Sequence, residues 1–134
     1  MPLISMLRAL AVATAAFALA ALAGAQTFPS KPIRLISPYA AGGANDIVCR
    51  VIAEKLSEVM GQTVLGDNKP GAGSMVGSNI LVKAPADGYT IMMADIAHGA
   101  NPALRKSMPY DTLKDFTPVV LVAELPTVLL VNPS

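Results

Sequence analysis

Pro38-Tyr39-Ala40-Ala41-Gly42-Gly43-Ala44-Asn45-Asp46 joins an apolar run, Ile33 to Ile36, to an amphipathic segment beginning near Asp46. A strand that empties through a glycine bend into a helix start aims backbone N–H groups, and the positive end of a helix dipole, at a bound anion. The same bend can equally be a tight connection, and on these residues alone both readings stand. A second bend, Lys69-Pro70-Gly71-Ala72-Gly73, also precedes a helical stretch. Small residues there allow backbone to approach a ligand closely. Two such bends on one sheet edge favour the anion cradle. Tyr39, at the tip of the first bend, either walls off a ligand or lies against the protein. Pockets are lined with aromatics, which favours the wall.

Other residues invite different chemistry. Gly71, Gly73 and Gly77 resemble part of a dinucleotide fingerprint, with Asp95 about where the ribose-binding acid would be sought, some 20 residues on. The pattern follows the second strand rather than the first, and its approach strand is short, so it does not carry a cofactor assignment. Asp95 and His98 form the one candidate acid–base pair, and no nucleophile stands beside them by motif. Cys49 falls on the inward side of its helix, where a buried, inert thiol is expected. Ser74 reads as a helix cap. No cluster of Cys, His and Asp has metal-ligand spacing. Neither a cofactor, a metal nor catalysis is expected.

These residues need elements to position them. Lys31 to Ser37 reads as a first strand after Pro32. Asp46 to Met60 carries Ile47, Val48, Val51, Ile52, Leu56, Val59 and Met60 at the spacing of a helical stripe. Arg50 and Glu54 sit four apart on the wet face, Asn45 or Asp46 caps the start, and Gly61 ends the helix. Gln62 to Asp67 is a second strand and Ser74 to about Lys83 a second helix. Tyr89 to Ala94 is a third strand. Asp95 to Ala100 follows as a loop, with a short helical piece opening at Asn101-Pro102. Pro118 to Ala123 and Thr127 to Val131 are further β-rich runs. Strands alternating with helices imply an α/β fold with a parallel, doubly wound sheet. Its strand-to-helix loops would open at the carboxyl edge, where such sheets hold ligands.

Composition bounds the rest. The chain has 134 residues, 53% hydrophobic and 14% charged, enough for one domain at most. Arg8 precedes an apolar run from Ala9 to Ala23, broken only by Thr14, and Ala23-Gly24-Ala25 is a small-x-small cleavage site. That is the pattern of a secretory signal peptide over residues 1–25, against an uncleaved anchor as the alternative. Removing it takes Arg8 and leaves nine basic and nine acidic side chains. A neutral body lacks the basic footprint of a nucleic-acid binder. A lone cysteine makes no internal disulfide, and no lipid-attachment pattern stands near the cleavage site. The seven Met residues are scattered and read as core filler.

Several ordered segments together resemble a known family. They are Phe28-Pro29-Ser30-Lys31-Pro32-Ile33-Arg34-Leu35-Ile36, the bend Pro38 to Gly43 with Asp46, Asp67 to Gly73, Asp87-Gly88-Tyr89-Thr90, Asn101-Pro102, and Pro109-Tyr110-Asp111 through Lys114-Asp115-Phe116. In order and spacing they resemble the Bug-type extracytoplasmic receptors of tripartite tricarboxylate transporters, from Phe28 to Ser134. The resemblance implies a periplasmic, two-lobed Venus-flytrap receptor that captures a small carboxylate and hands it to membrane transporter subunits. It implies ligand contacts from Tyr39, Ala40, Ala41, Gly42 and Gly43 with Asp46, from Ala72, Gly73 and Ser74, and from the loop that holds Asp95. Two departures accompany it. Asp95 stands where relatives often have Ser or Thr, which implies a zwitterionic or donor-bearing solute. Family members are also well over twice this length. Residues 26–124 would then be an incomplete first lobe and 125–134 the start of the crossover to a second. The alternatives are a non-functional truncated remnant and an exported α/β enzyme.

Overall fold

Ile33, Leu35 and Ile36 are apolar without strict alternation, the pattern of a strand covered on both faces. In the computed structural model, which describes residues 27–124 together with 128, 130 and 131, Ile33–Ser37 forms such a strand, β1. The expected leader, residues 1–25, lies outside the described residues.

β1 is the middle of a three-stranded parallel sheet. Val64–Asn68 (β2) pairs along one side, with Ile33 opposite Val64 and Ser37 opposite Asn68. Thr90–Met92 (β3) pairs along the other, with Leu35 opposite Ile91. Helices Ala44–Met60 (α1), Met75–Val82 (α2) and Ile96–Leu104 (α3) follow the three strands in turn. All three strand-to-helix connections therefore leave the same carboxyl edge, as the alternating pattern predicts.

The two faces of β1 are covered differently. Ile33 and Leu35 join Cys49, Ala53, Val64 and Met93 in the buried core beneath α1. The small Cys49 and Ala53 let α1 lie close to the sheet, and the thiol is buried as the sequence implies. Ile36 points to the opposite face, where α2 packs. A Cβ at Gly77 would stand 2.9 Å from Pro38 Cβ and 3.2 Å from Ile36 Cγ2, so α2 approaches this closely only because residue 77 has no side chain.

Four expectations need correction. The apolar residues of α1 form two faces rather than one stripe. Ile52, Leu56 and Met60 pack against the core, while Ile47, Val48, Val51 and Val59 are exposed. At 100° per residue, positions 47 and 51 lie opposite position 49. Neither Asn45 nor Asp46 caps α1: the N-cap is Gly43, without a side-chain bond. Arg50 turns to Asp46 rather than Glu54, at 2.9 Å. Finally, the β-rich run from Pro118 forms no strand among the described residues, and Val119, Val120 and Leu121 are exposed. β-propensity reflects packing on a sheet surface, and no such surface receives this segment. Part of the run from Thr127 to Val131 lies outside the described residues.

Gly61 ends α1 as expected, with φ of 64° and its N–H bonded to Ser57 O at 3.1 Å. Among the described residues, no helix is long and apolar enough to cross a membrane.

Candidate functional site

The first bend is held by a buried carboxylate. Gly42 adopts a positive φ of 83°, which turns its N–H onto Asp46 Oδ2 at 2.8 Å. The same oxygen accepts from Arg50 Nε at 2.9 Å, and Oδ1 accepts from Asn68 Nδ2 at 2.8 Å. Asn68 also donates to Tyr39 O at 3.1 Å, so the end of β2 grips both ends of the bend. The Arg50 guanidinium, the Gly42 amide and the Asn68 amide together draw the Asp46 carboxyl down to about 2. Sequence reasoning counts Asp46 among the ligand contacts. Here it is 3% exposed and spends both oxygens inside the protein. Its side chain shapes the bend.

That shape leaves amides without an intrahelical partner. The first intrahelical donor of α1 is Ile47, whose N–H bonds Gly43 O at 3.0 Å. The N–H groups of Ala44, Asn45 and Asp46 precede it and belong to the unsatisfied first turn of the helix. Ala40, Ala41, Gly42, Gly43 and Ala44 are exposed. Asn45 locks the helix start to the sheet: its Oδ1 accepts from Ser37 Oγ at 3.1 Å, and its Nδ2 donates to Met93 O at 3.4 Å.

Tyr39, Gly43, Ala44, Asn45 and Asp95 line a cavity of about 250 Å³. Two bends separated by more than fifty residues thus meet at the carboxyl edge. Asp95 is the N-cap of α3, its Oδ1 accepting from Ala97 N at 3.1 Å. Burial, then a hydrogen bond to Asp95 and its negative charge, push the Tyr39 phenol up to about 12. Tyr39 therefore stays a protonated phenol beside Asp95, where the first and third loops meet. A larger concavity, about 490 Å³, lies against α3 and the following loop, lined by Gly99, Pro102, Met108 and Tyr110 through Leu113. It touches none of the residues of the first bend, and the Tyr110 hydroxyl and Thr112 Oγ1 among its lining residues are buried without a hydrogen-bond partner.

The second bend does not join the cavity lining. Ala72, Gly73 and Ser74 have φ of 50°, 63° and 72°, a left-handed run that two non-glycine residues adopt only under constraint. The constraint comes from α3. Asn101 Nδ2 donates to Gly73 O at 2.7 Å and Arg105 Nη2 to Ala72 O at 3.3 Å. Ser74 is the N-cap of α2 as expected, but it is 1% exposed and its side chain makes no cap hydrogen bond.

The third loop is also shorter than its sequence implies. α3 starts at Ile96 and carries Pro102 inside it, where the sequence predicts a loop to Ala100. Asp95 and His98 are joined by backbone, His98 N to Asp95 O at 3.1 Å, and not as an acid–base pair. The His98 ring instead meets Ser78 Oγ at 3.0 Å through Nδ1 and the edge of Phe116. Burial keeps its pKa below the usual histidine range. Sequence reasoning missed Ala44 and Asn45 as lining residues and Asn68 as the clamp. Asn45, directly after the glycine pair, carried a usable signal; Asn68 carried none.

A parallel sheet with helices on both faces, and a small cavity where its loops leave the carboxyl edge, is the N-terminal portion of a periplasmic-binding-protein fold. The chain belongs to the family described as "Tripartite tricarboxylate transporter family receptor", which it matches over residues 48–134. That family consists of solute receptors, not enzymes. The chain is similar to a UPF0065 protein from the tcbD–tcbE intergenic region of a Pseudomonas species, 43% identical over 78% of this chain and 31% of that one. It is also similar to protein BugT of Bordetella pertussis, 39% identical over 87% of this chain and 36% of that one. Among solved structures, R. palustris Rpa4515 with adipate superposes with a TM-score of 0.67 at 36% identity, over 69% of this chain and 31% of that one. MatC from Rhodopseudomonas palustris with bound malate gives 0.65 at 34% identity, over 69% and 32%. The chain thus spans about a third of the length of the relatives it matches.

Proposed function

We propose that residues 26–124 form the first lobe of an extracytoplasmic receptor that captures a small carboxylate for a tripartite tricarboxylate transporter. Residues 1–25 act as the export leader to the periplasm, and 125–134 begin the crossover toward a second lobe. The observation that carries this reading is the first turn of α1, with Ala44 and Asn45 facing a cavity beside Tyr39. Amides at a helix start bind carboxylates through fixed dipoles and the N–H groups themselves. Two structural relatives hold adipate and malate by name, which supports a small carboxylate as the solute class. Ala40, Ala41, Gly42 and Gly43 provide the surrounding backbone, while Ala72, Gly73 and Ser74 support the same edge from α3.

A single substitution tests this. Ala44 is the first residue of α1, where proline fits the helix and removes only an N–H that the helix does not use. Gly43, at φ −76° and ψ 165°, already has the backbone a following proline requires. Ala44→Pro should leave the unfolding transition in place and weaken malate or adipate binding about tenfold. One hydrogen bond to a charged group is worth roughly 1.5–3 kcal/mol. Binding is read by amide chemical-shift titration of the labelled chain. A folded Ala44→Pro chain with unchanged affinity, or shifts that avoid Ala44 and Asn45, would overturn the proposal.

A further inference from the structure

Asp95 is the one charged side chain in the wall of the cavity, among Tyr39, Gly43, Ala44 and Asn45. It is exposed, unlike Asp46, which sits behind the bend against Arg50. One of its oxygens accepts from Ala97 N in the α3 cap and the Tyr39 phenol stands beside it, and a carboxylate still has room for a further donor. The cavity, about 250 Å³, is small enough that a solute seated on the first turn of α1 brings its other end to Asp95. A negative side chain beside donating amides is a poor seat for a second carboxylate, because like charges repel at this range, most strongly at low salt for an exposed group. The same side chain attracts an ammonium. We infer that Asp95 makes this receptor select solutes carrying a cationic group beside the carboxylate, an amino acid in preference to a dicarboxylate. This selectivity rests on the carboxylate reading of the same cavity. It works by rejection as much as by attraction, since a second carboxylate is left facing Asp95 unpaired.

The test compares three solutes of the same length, butyrate, γ-aminobutyrate and succinate, on the full chain by amide chemical-shift titration. Asp95→Asn removes the charge while asparagine keeps the helix cap, so the fold is retained. The unaltered chain should bind γ-aminobutyrate about tenfold more tightly than butyrate, and succinate no better than butyrate. In Asp95→Asn the first ratio should fall to about one and succinate should gain. Raising the salt concentration should shrink the preference in the unaltered chain only. Equal binding of butyrate and γ-aminobutyrate by the unaltered chain overturns the role of Asp95 and leaves the carboxylate site standing. A preference that survives in Asp95→Asn does the same. Failure of all three solutes to bind overturns both readings together.

Discussion

Asp46 shows how one carboxylate can be committed to architecture at the edge of a candidate site. Its oxygens take the Arg50 guanidinium, the Gly42 amide and the Asn68 amide, and these donors hold its pKa near 2 instead of 3.8. The folded state therefore prefers the ionised form. The stabilisation is complete above about pH 4 and is lost as pH falls through about 2, because the unfolded chain takes up the proton first. Other aspartates are depressed as well, Asp87 and Asp111 among them, so the pH profile of one protein cannot isolate Asp46. The difference between two proteins can. Asp46→Asn should be less stable than the unaltered chain at pH 6, with the gap narrowing steadily as pH falls from 4 toward 2. Urea unfolding midpoints across that range measure the gap; a gap independent of pH would mean that the charge of Asp46 does not stabilise the bend.

At the scale of elements, Gly77 governs how closely α2 lies against β1. An alanine methyl would meet Pro38 Cβ at 2.9 Å and Pro38 Cα at 3.3 Å, and the latter is backbone that cannot swing aside. Gly77→Ala should cost about 1–3 kcal/mol through overpacking. Gly99, inside α3, is its control, because a methyl added there would meet nothing within 4 Å. Gly99→Ala should stabilise by roughly 0.5–1 kcal/mol through helix propensity. Chemical denaturation of the two variants decides the point, and equal effects would show that α2 has room to move. Elements differ in how plainly the sequence announces them, and the reasons are physical. β1, α1 and the Gly61 stop are local patterns of apolar spacing and chain freedom, so they can be read directly. The start of α3 is obscured because Gly99 and Pro102 look like breakers, whereas the Asp95 cap and the Asn101 and Arg105 bonds to the second bend hold the helix together. Those bonds join residues about thirty positions apart, which no local pattern encodes. The cavity is half legible for the same reason: the glycine bend marks Gly43, but only the tertiary fold brings Asp95 to Tyr39.

For the molecule as a whole, the most consequential surface is the apolar one that no described element covers. Val119, Val120 and Leu121 are 84%, 75% and 71% exposed, and Val122 continues the run. The segment Pro118 to Ala123 is uncharged and β-branched, the composition of a strand that pairs with whatever edge it meets. β2 and β3 are the outer strands of the sheet, and each presents an edge. A chain with both features on its surface should associate through them as its concentration rises. Because Leu121 is exposed and outside every element, replacing it should leave folding alone. Leu121→Lys should keep the urea midpoint within about 0.5 kcal/mol of the unaltered chain, as surface changes do. It should also suppress concentration-dependent light scattering, since a charge inside such a run opposes strand pairing. If scattering persists unchanged in Leu121→Lys, the association runs through another surface, and the exposed Ile47 and Val51 face of α1 is the next to alter.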